Sequence, residues 1–334
     1  MNKIIVNLDL HGGDFAPLSV IEGARIALTK YNNLMFRFHA HQSTYNQYYK
    51  IYSDLFEKSE WIESENFIPA TMKPSEALKK ENRKSSMSNA IASLKDNKDQ
   101  ITVSAGNTGA MLAYSTVYLR TIENISRPAI ASLFPSKLHP VCFLDLGANS
   151  ECDAKNLHDF ALMGSTYYKI LYPNADCKVS LLNIGSEELK GNKTIQEANE
   201  LLKNDNNINY QGFIEANAIT STDKHIIVTD GFSGNIALKT AEGISEFITS
   251  SLKNNLTTSF YSKFLAFLLK NNFKKFKNSI DPRNFNGGIF IGVNGIVIKS
   301  HGNADSHSYA NAIDFGIKCI KADLLNQIKK NVSR

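Results

Sequence analysis

Short apolar runs alternate with longer amphipathic segments along most of the chain. The runs are rich in β-branched residues and continuously apolar, which is typical of strands buried on both faces of a sheet. They predict seven strands, at residues 3–8, 101–105, 129–134, 141–146, 178–184, 225–230 and 295–300. The amphipathic segments predict helices over about residues 17–30, 76–94, 108–120, 155–171, 194–203, 234–254 and 305–330.

This order of elements predicts an α/β fold. Strands that alternate with helices form a largely parallel, doubly wound sheet with helices on both of its faces. The chain has no internal repeat of about 20–50 residues and no low-complexity linker. We therefore predict a single two-lobed α/β unit over residues 1–334.

Residues 259–280 depart from the rest of the chain, because they contain five lysines and no acidic residue. Between the lysines, two sets of apolar side chains recur at every fourth position. This pattern predicts a protruding amphipathic helix that lies on an anionic membrane surface. A helix buried at a dimer interface or in a neighbouring groove is the alternative. The side chains predicted to contact the membrane are Phe260, Phe264, Leu265, Leu268, Leu269 and Phe273.

Composition limits where the protein acts. With 43% hydrophobic and 21% charged residues, the chain has the composition of a soluble globular protein. No apolar run reaches the roughly 18–20 residues of a membrane span, and the N-terminus lacks the long apolar stretch of a signal peptide. We therefore expect a cytoplasmic protein. The formal net charge of +5 is too small to indicate nucleic-acid binding.

Nine of the nineteen glycines fall in five loops that follow predicted strands, at residues 11–17, 104–110, 145–153, 183–192 and 230–235. In an open parallel sheet such loops share the carboxyl edge, where ligands bind. Each loop exposes backbone N–H groups at the start of a helix, which favours an anion. The sequence therefore predicts a phosphate or carboxylate site formed by several loops.

Common anion-binding and catalytic signatures are missing. No Gly-x-Gly-x-x-Gly follows a strand, and Lys299-Ser300 is preceded by apolar residues instead of the glycine of a nucleotide-binding loop. No zinc-ligand spacing occurs. Ser233 lies one residue off the Gly-x-Ser-x-Gly signature of a serine nucleophile. We expect neither a cofactor nor a metal ion.

The loops occur in an order that resembles the bacterial PlsX family of phosphate acyltransferases. The resemblance runs from residue 3 to about residue 316 and includes VSAGNTGA at 103–110, DLGAN at 145–149 and DGFSGNIALK at 230–239. HGGDFAP at 11–17 departs from the family pattern, because His11 replaces a methionine. The segment NGIVIKSHG at 294–302 completes the series, although Asn303 follows where a serine is usual.

The resemblance implies a fold like that of phosphotransacylases and isopropylmalate dehydrogenase. It implies attack of inorganic phosphate on the thioester of a fatty acyl–acyl carrier protein, which gives acyl-phosphate for glycerophospholipid synthesis. The enzyme would be a homodimer at the inner face of the membrane, beside a membrane-bound glycerol-3-phosphate acyltransferase. No nucleic acid takes part. The lysines of residues 259–280 would alternatively receive the acidic carrier protein.

The resemblance also assigns residues to roles. Lys190 and Asn235 would be catalytic, since a lysine offsets the charge of phosphate or oxyanion and an asparagine amide donates to an oxyanion. Their alternatives are a solvated loop lysine and a helix cap. Residues predicted to bind phosphate or the acyl substrate are Asp9, Gly12, Gly13, Asp14, Ser104, Asn107, Thr108, Gly109, Asn149, Asp230, Gly234, Lys299, Ser300 and His301.

Two other functions compete with this one. A phosphotransacylase that uses coenzyme A and short acyl chains would need a related architecture. A catalytically silent membrane-associated scaffold would keep the amphipathic segment, and changes at Lys190 or Asn235 would then have no effect on any reaction.

Overall fold

The computed structural model describes residues 3–95, 99–256, 258–280 and 287–332, apart from the side chains of residues 260, 263, 265, 277, 278 and 280. The strands in these ranges are β1 (Ile4–Asp9), β2 (Leu34–Ala40), β3 (Glu60–Glu63), β4 (Gln100–Ser104), β5 (Ala129–Phe134), β6 (Val141–Leu144), β7 (Val179–Asn183), β8 (Tyr210–Glu215), β9 (Ile226–Val228), β10 (Gly288–Ile291) and β11 (Ile296–Lys299). The α-helices are α1 (Leu18–Leu28), α2 (Gln42–Tyr48), α3 (Ser53–Phe56), α4 (Pro74–Ala77), α5 (Ser86–Ala92), α6 (Thr108–Leu119), α7 (Ala154–Leu171), α8 (Lys193–Lys203), α9 (Gly231–Leu256), α10 (Phe260–Leu268), α11 (Lys270–Ile280), α12 (Ser306–Lys321) and α13 (Leu324–Val332).

The strands form one 11-stranded sheet in the order β3-β2-β1-β4-β11-β10-β5-β6-β9-β7-β8. The first five strands in this order are parallel to one another, and so are the last four. Between them, β10 is antiparallel to both of its neighbours and β5 is antiparallel to β6. The predicted α/β fold with a largely parallel sheet is confirmed.

The strand directions correct one expectation. Because the antiparallel pairings lie in the middle of the sheet, the two parallel halves run in opposite directions. The loops after β1, β4 and β11 therefore lie at one edge, and those after β6, β7 and β9 lie at the opposite edge. The expectation that all the glycine-rich loops share one edge is wrong.

Two apolar cores cover the opposite faces of the sheet. Side chains alternate between the faces of a strand. In β9, accordingly, Ile226 and Val228 belong to one core and Ile227 to the other. The second core also contains the buried faces of α5 and α6 and several residues of α9. This second face is the one that carries the large cleft described below.

The helix predicted over residues 76–94 is wrong, because α4 and α5 replace it and a 3₁₀ turn at Lys80–Asn82 lies between them. Tertiary hydrogen bonds account for the break. The hydroxyl of the buried Tyr114 lies 2.6 Å from the carbonyl oxygen of Ala77 and 2.8 Å from that of Asn82. These carbonyl groups have a partner outside the segment, so the chain does not continue as one helix.

The basic segment forms two helices, α10 and α11, which are separated at Leu269. The single amphipathic helix expected there is therefore interrupted. Phe264, Leu268 and Leu269 are exposed and Phe273 is half-buried. The predicted membrane contacts Phe260 and Leu265 have side chains outside the described set. In the described ranges, no helix has the length and apolar character needed to cross a membrane.

Candidate active site

A cleft of about 580 Å³ lies between one edge of the sheet and the first turns of α9. Its polar side consists of the loops after β1, β4 and β11. Its opposite side consists of β5, the residues after β6 and the exposed part of α9. The predicted site residues that line it are Gly13, Asp14, Asn107, Thr108, Asn235, Lys299, Ser300 and His301.

Asp9 lies beneath the cleft rather than in it. Its side chain is buried, and its two carboxylate oxygens accept hydrogen bonds from the hydroxyls of Ser86 and Ser104, each at 2.6 Å. Ser104 in turn accepts from the backbone N–H of Gly106 at 3.0 Å. Asp9 therefore holds the loops after β1 and β4 together, and its predicted contact with a ligand stays a prediction. Gly12 packs between these groups, with no room for a side chain.

Lys299 supplies a cation to the polar side of the cleft. Its Nζ donates to the carbonyl oxygens of Ala105, at 3.3 Å, and Ser300. Burial, followed by the nearby Lys239 ammonium, lowers the pKa of Lys299 to about 8. A buried ammonium has lost most of the water that stabilises its charge. A bound anion stabilises that charge in place of the water, so such an ammonium favours anion binding.

The start of α9 separates the roles of Asp230 and Asn235. Asp230 accepts from the backbone N–H of Ser233 at 2.8 Å and from its hydroxyl at 3.0 Å, so it caps the helix. Since α9 begins at Gly231, Asn235 lies in its second turn and is not the cap. The Asn235 side chain is exposed and lines the cleft. Asp230 does not line the cleft, although it was predicted to bind substrate.

Lys239 and Glu242 extend the α9 side of the cleft. Lys239 lies four residues after Asn235, which places both on one face of the helix. Its Nζ donates to Glu242 at 2.8 Å, and the other Glu242 oxygen lies 3.5 Å from Nδ1 of His301. Glu242 therefore connects α9 with the loop after β11. The sequence interpretation missed both residues, although the helical spacing from Asn235 indicates Lys239.

Asn107 uses its side chain within the protein. Its Oδ1 accepts from the backbone N–H of Ala110 at 2.9 Å and caps α6. Its Nδ2 donates to the carbonyl oxygens of Ala70 and Met72, both at 2.8 Å. The amide predicted to bind phosphate is thus already paired. What α6 offers an anion is the set of backbone N–H groups of its first turn, where Thr108 lies.

The remaining predicted residues divide into two groups. Lys190 is exposed on the loop after β7, at the same edge of the sheet as the loops after β6 and β9, and does not line the cleft. Its backbone oxygen accepts from Nδ2 of Asn183 at 3.1 Å. Its predicted catalytic role therefore stays a prediction. The other predicted residues that do not line the cleft are Asp9, Gly12, Ser104, Gly109, Asn149 and Gly234.

The chain is similar to known sequences over nearly its whole length. The model of the family described as fatty acid synthesis protein matches residues 4–327. A phosphate acyltransferase of Pelagibacter ubique is 41% identical over 99% of this chain and 100% of its own length. One from Wolbachia pipientis wMel is 41% identical over 99% and 97%. One from Maricaulis maris is 38% identical over 98% and 95%.

Solved structures show the same fold at low sequence identity. A phosphotransacetylase of Streptococcus pyogenes matches with a TM-score of 0.59 and 15% identity, over 96% of this chain and 94% of that chain. The EutD phosphotransacetylase of Staphylococcus aureus matches with a TM-score of 0.58 at the same identity and coverage. The phosphotransacylase-like architecture expected from the sequence is confirmed.

Proposed function

The chain belongs to the fatty acid synthesis protein family of phosphate acyltransferases, and from this premise we propose that it transfers a fatty acyl group from acyl carrier protein to inorganic phosphate. The products are acyl-phosphate and the free carrier thiol. One observation carries the proposal: a single cleft is lined by groups suited to an anion, by apolar side chains and by Asn235.

The anion-binding side suits phosphate. Lys299 provides a partly desolvated ammonium, and the first turn of α6 provides backbone N–H groups near Thr108. Lys239 lies close enough to Lys299 to lower its pKa, so two ammonium groups act on the same part of the cleft, and the carboxylate of Asp14 lines it too. A doubly charged phosphate relieves the repulsion between the two lysines when it binds. That relief favours a dianion over a neutral ligand.

The apolar side suits a long acyl chain. Its side chains continue the second core of the fold, so a hydrocarbon chain here would leave water for an apolar surface. This observation favours a fatty acyl donor over the acetyl group of a coenzyme A-dependent phosphotransacylase. The apolar residues that line the cleft include Ile68, Ile130, Phe134, Leu146 and Leu238.

The reaction then needs positioning and charge stabilisation. A phosphate oxygen attacks the thioester carbonyl carbon, and the carbon–sulfur bond breaks from the tetrahedral intermediate. The proton that leaves the attacking phosphate hydroxyl is balanced by the proton that the carrier thiol gains. We assign the Asn235 amide to the developing oxyanion and Lys299 to phosphate. Lys190 is a further proposed catalytic lysine.

Thiol release tests the substrate. Purified protein is mixed with palmitoyl-acyl carrier protein or with acetyl-coenzyme A, with and without inorganic phosphate, and the free thiol is measured. We expect phosphate-dependent release from the carrier substrate. Release from acetyl-coenzyme A alone would identify the coenzyme A-dependent alternative, and no release from either substrate would favour the scaffold.

We propose that α10 and α11 dock on an anionic membrane surface, where a membrane-bound glycerol-3-phosphate acyltransferase would receive the labile acyl-phosphate. Tyr261, Phe264, Phe267 and Leu268 expose most of their area to solvent. Exposed lysines such as Lys274 and Lys275 lie on the same helices. Apolar and basic side chains together are what surface-bound helices use. Acyl carrier protein is the alternative occupant of the lysines.

Sedimentation with vesicles tests this docking. Changing Phe264, Leu268 and Leu269 to Glu is expected to abolish co-sedimentation with phosphatidylglycerol-containing vesicles, because the apolar anchor is lost and negative charge is added. A matched control changes two exposed apolar residues elsewhere, Ile51 and Leu138, to Glu. Undiminished sedimentation of the folded triple variant would contradict membrane docking.

Dimer formation is a separate part of the proposal. The middle of α9 exposes Ile244, Phe247 and Ile248, which form an apolar face on a helix that contributes to the cleft. Burial of such a face against a second copy would remove apolar area from water. We therefore propose a homodimer, which sedimentation equilibrium would measure directly.

A further inference from the structure

Asp145 is a buried carboxylate that holds one loop through five hydrogen bonds. The loop follows β6 and comprises residues 145–149. Oδ1 accepts from the backbone N–H groups of Ile130 at 2.9 Å, Gly147 at 3.2 Å and Ala148 at 3.0 Å. Oδ2 accepts from Asn149 twice, from its backbone N–H at 2.7 Å and from Nδ2 at 2.9 Å. The side chain is 0% exposed, so it does not contact a ligand itself.

The donor set requires the carboxylate to be ionised. All five partners are N–H groups, and a protonated carboxyl would direct its own hydrogen at one of them. Burial raises the pKa of Asp145, and the hydrogen bonds from Ile130, Ala148 and Asn149 oppose that rise. A buried charge with so many fixed donors is costly to replace. The fold thus uses one anion to fix the shape of this loop.

The loop held by Asp145 packs directly against Asn235. Gly147 has a φ of +121°, and a Cβ added there would lie 3.4 Å from Cβ and Cγ of Asn235. On the other side, a Cβ added at Gly234 would come within 1.9 Å of the backbone oxygen of Asp145. The start of α9 therefore contacts this loop at Gly234 and at Asn235, whose side chain lines the cleft.

We propose that Asp145 is a positioning residue for acyl transfer, which acts by holding the residue 145–149 loop against Asn235. The carboxylate fixes Gly147, and Gly147 sets where the Asn235 amide lies relative to Lys299 and the bound phosphate. This inference rests on the proposed function, because it assigns Asn235 to the oxyanion. Asp9 has a similar relation to the loops after β1 and β4. Both residues lie in a Leu-Asp-Leu segment, which is followed directly by Gly147 in one case and by His11 and Gly12 in the other.

A double-mutant cycle tests the coupling. Asp145→Asn replaces one acceptor oxygen by an NH₂ group, which meets the N–H donors and displaces the loop. In the wild-type background we expect kcat to fall by about 10- to 100-fold, as for a misplacement of about 1 Å, with little change in KM for phosphate. In an Asn235→Ala background the same change is expected to have almost no further effect on kcat, because the group it positions is gone.

A second variant keeps the test independent of folding. Gly147→Ala leaves the Asp145 carboxylate in place but adds a methyl group against Asn235 at an exposed position, where a positive φ disfavours alanine. Gly147→Ala should also lower kcat in the wild-type background, and it should have no such effect in the Asn235→Ala background. If Asp145→Asn and Gly147→Ala lowered kcat by the same factor in the Asn235→Ala background as in the wild type, the role of Asp145 would be overturned. This holds for variants whose urea midpoints of unfolding are unchanged. A wild-type chain without phosphate-dependent thiol release would instead refute the proposed function.

Discussion

Replacing Asn235 by alanine is expected to lower kcat for acyl-phosphate formation by about 10²- to 10³-fold, the typical effect of removing one oxyanion donor. Asn235 lies in the second turn of α9, lines the cleft and is not needed as a helix cap, since Asp230 has that role. Its amide is thus available for a ligand. The measurement is thiol release from palmitoyl-acyl carrier protein at saturating phosphate.

Ser233→Ala is the matched control for this experiment. Ser233 lies two residues before Asn235 in the same helix, and its hydroxyl donates to Asp230 at 3.0 Å. Loss of that hydroxyl should affect the stability of the helix start by no more than about 1 kcal/mol and leave most of the activity. If Ser233→Ala abolished activity while Asn235→Ala did not, a serine nucleophile would replace the mechanism proposed above.

Replacing Lys299 by methionine is expected to raise KM for phosphate by about 10- to 100-fold, because a partly desolvated charge–charge contact is worth about 1.5–3 kcal/mol. The pKa of Lys299 is lowered to about 8 by burial and by Lys239. The ammonium is therefore present below pH 8 and is lost as pH rises through that value. Accordingly, kcat/KM for phosphate in the wild type should fall above about pH 8, and this alkaline limb should vanish in Lys299→Met.

Lys193→Met provides the control for Lys299. Its side chain is 90% exposed on α8 and does not line the cleft. Removing it changes the net charge equally but removes no cleft contact. An alkaline limb that persists in Lys299→Met would assign the pH dependence to another group and contradict the proposed phosphate contact.

The sequence predicted the fold best where buried runs are continuous. Strands such as β9 and β11 have apolar side chains on both faces, so their pattern is clear. Strand β2 was not predicted, because Arg37 and His39 interrupt its run of apolar residues. Arg37 pairs with Glu60, and the buried His39 lies 3.2 Å from Asn7. Partners that are distant in the sequence make these polar residues compatible with a buried strand, and local pattern does not reveal them.

The candidate site was predicted in part for a related reason. The loop motifs indicated the region of Asn235 and Lys299. Glycine and asparagine at the ends of strands reflect the local backbone turn there, so the sequence alone reveals them. Which loops meet depends on the antiparallel pairing of β5 and β10, a long-range feature. The same limitation applies to Asn107 and Asp9, whose side chains are paired inside the protein. Lys190 lies outside the cleft, and no local pattern places it relative to Asn235.

The continuity of α9 has a consequence for helical phase. Asn235 and Leu256, the last residue of this helix, lie 21 positions apart. At 1.5 Å per residue they span about 32 Å. One inserted residue would turn everything beyond it by about 100° relative to the cleft, whereas a deletion of seven would change the orientation little. The length of α9 therefore fixes the direction in which its far end faces relative to the cleft, and natural length variants of this helix should keep that phase.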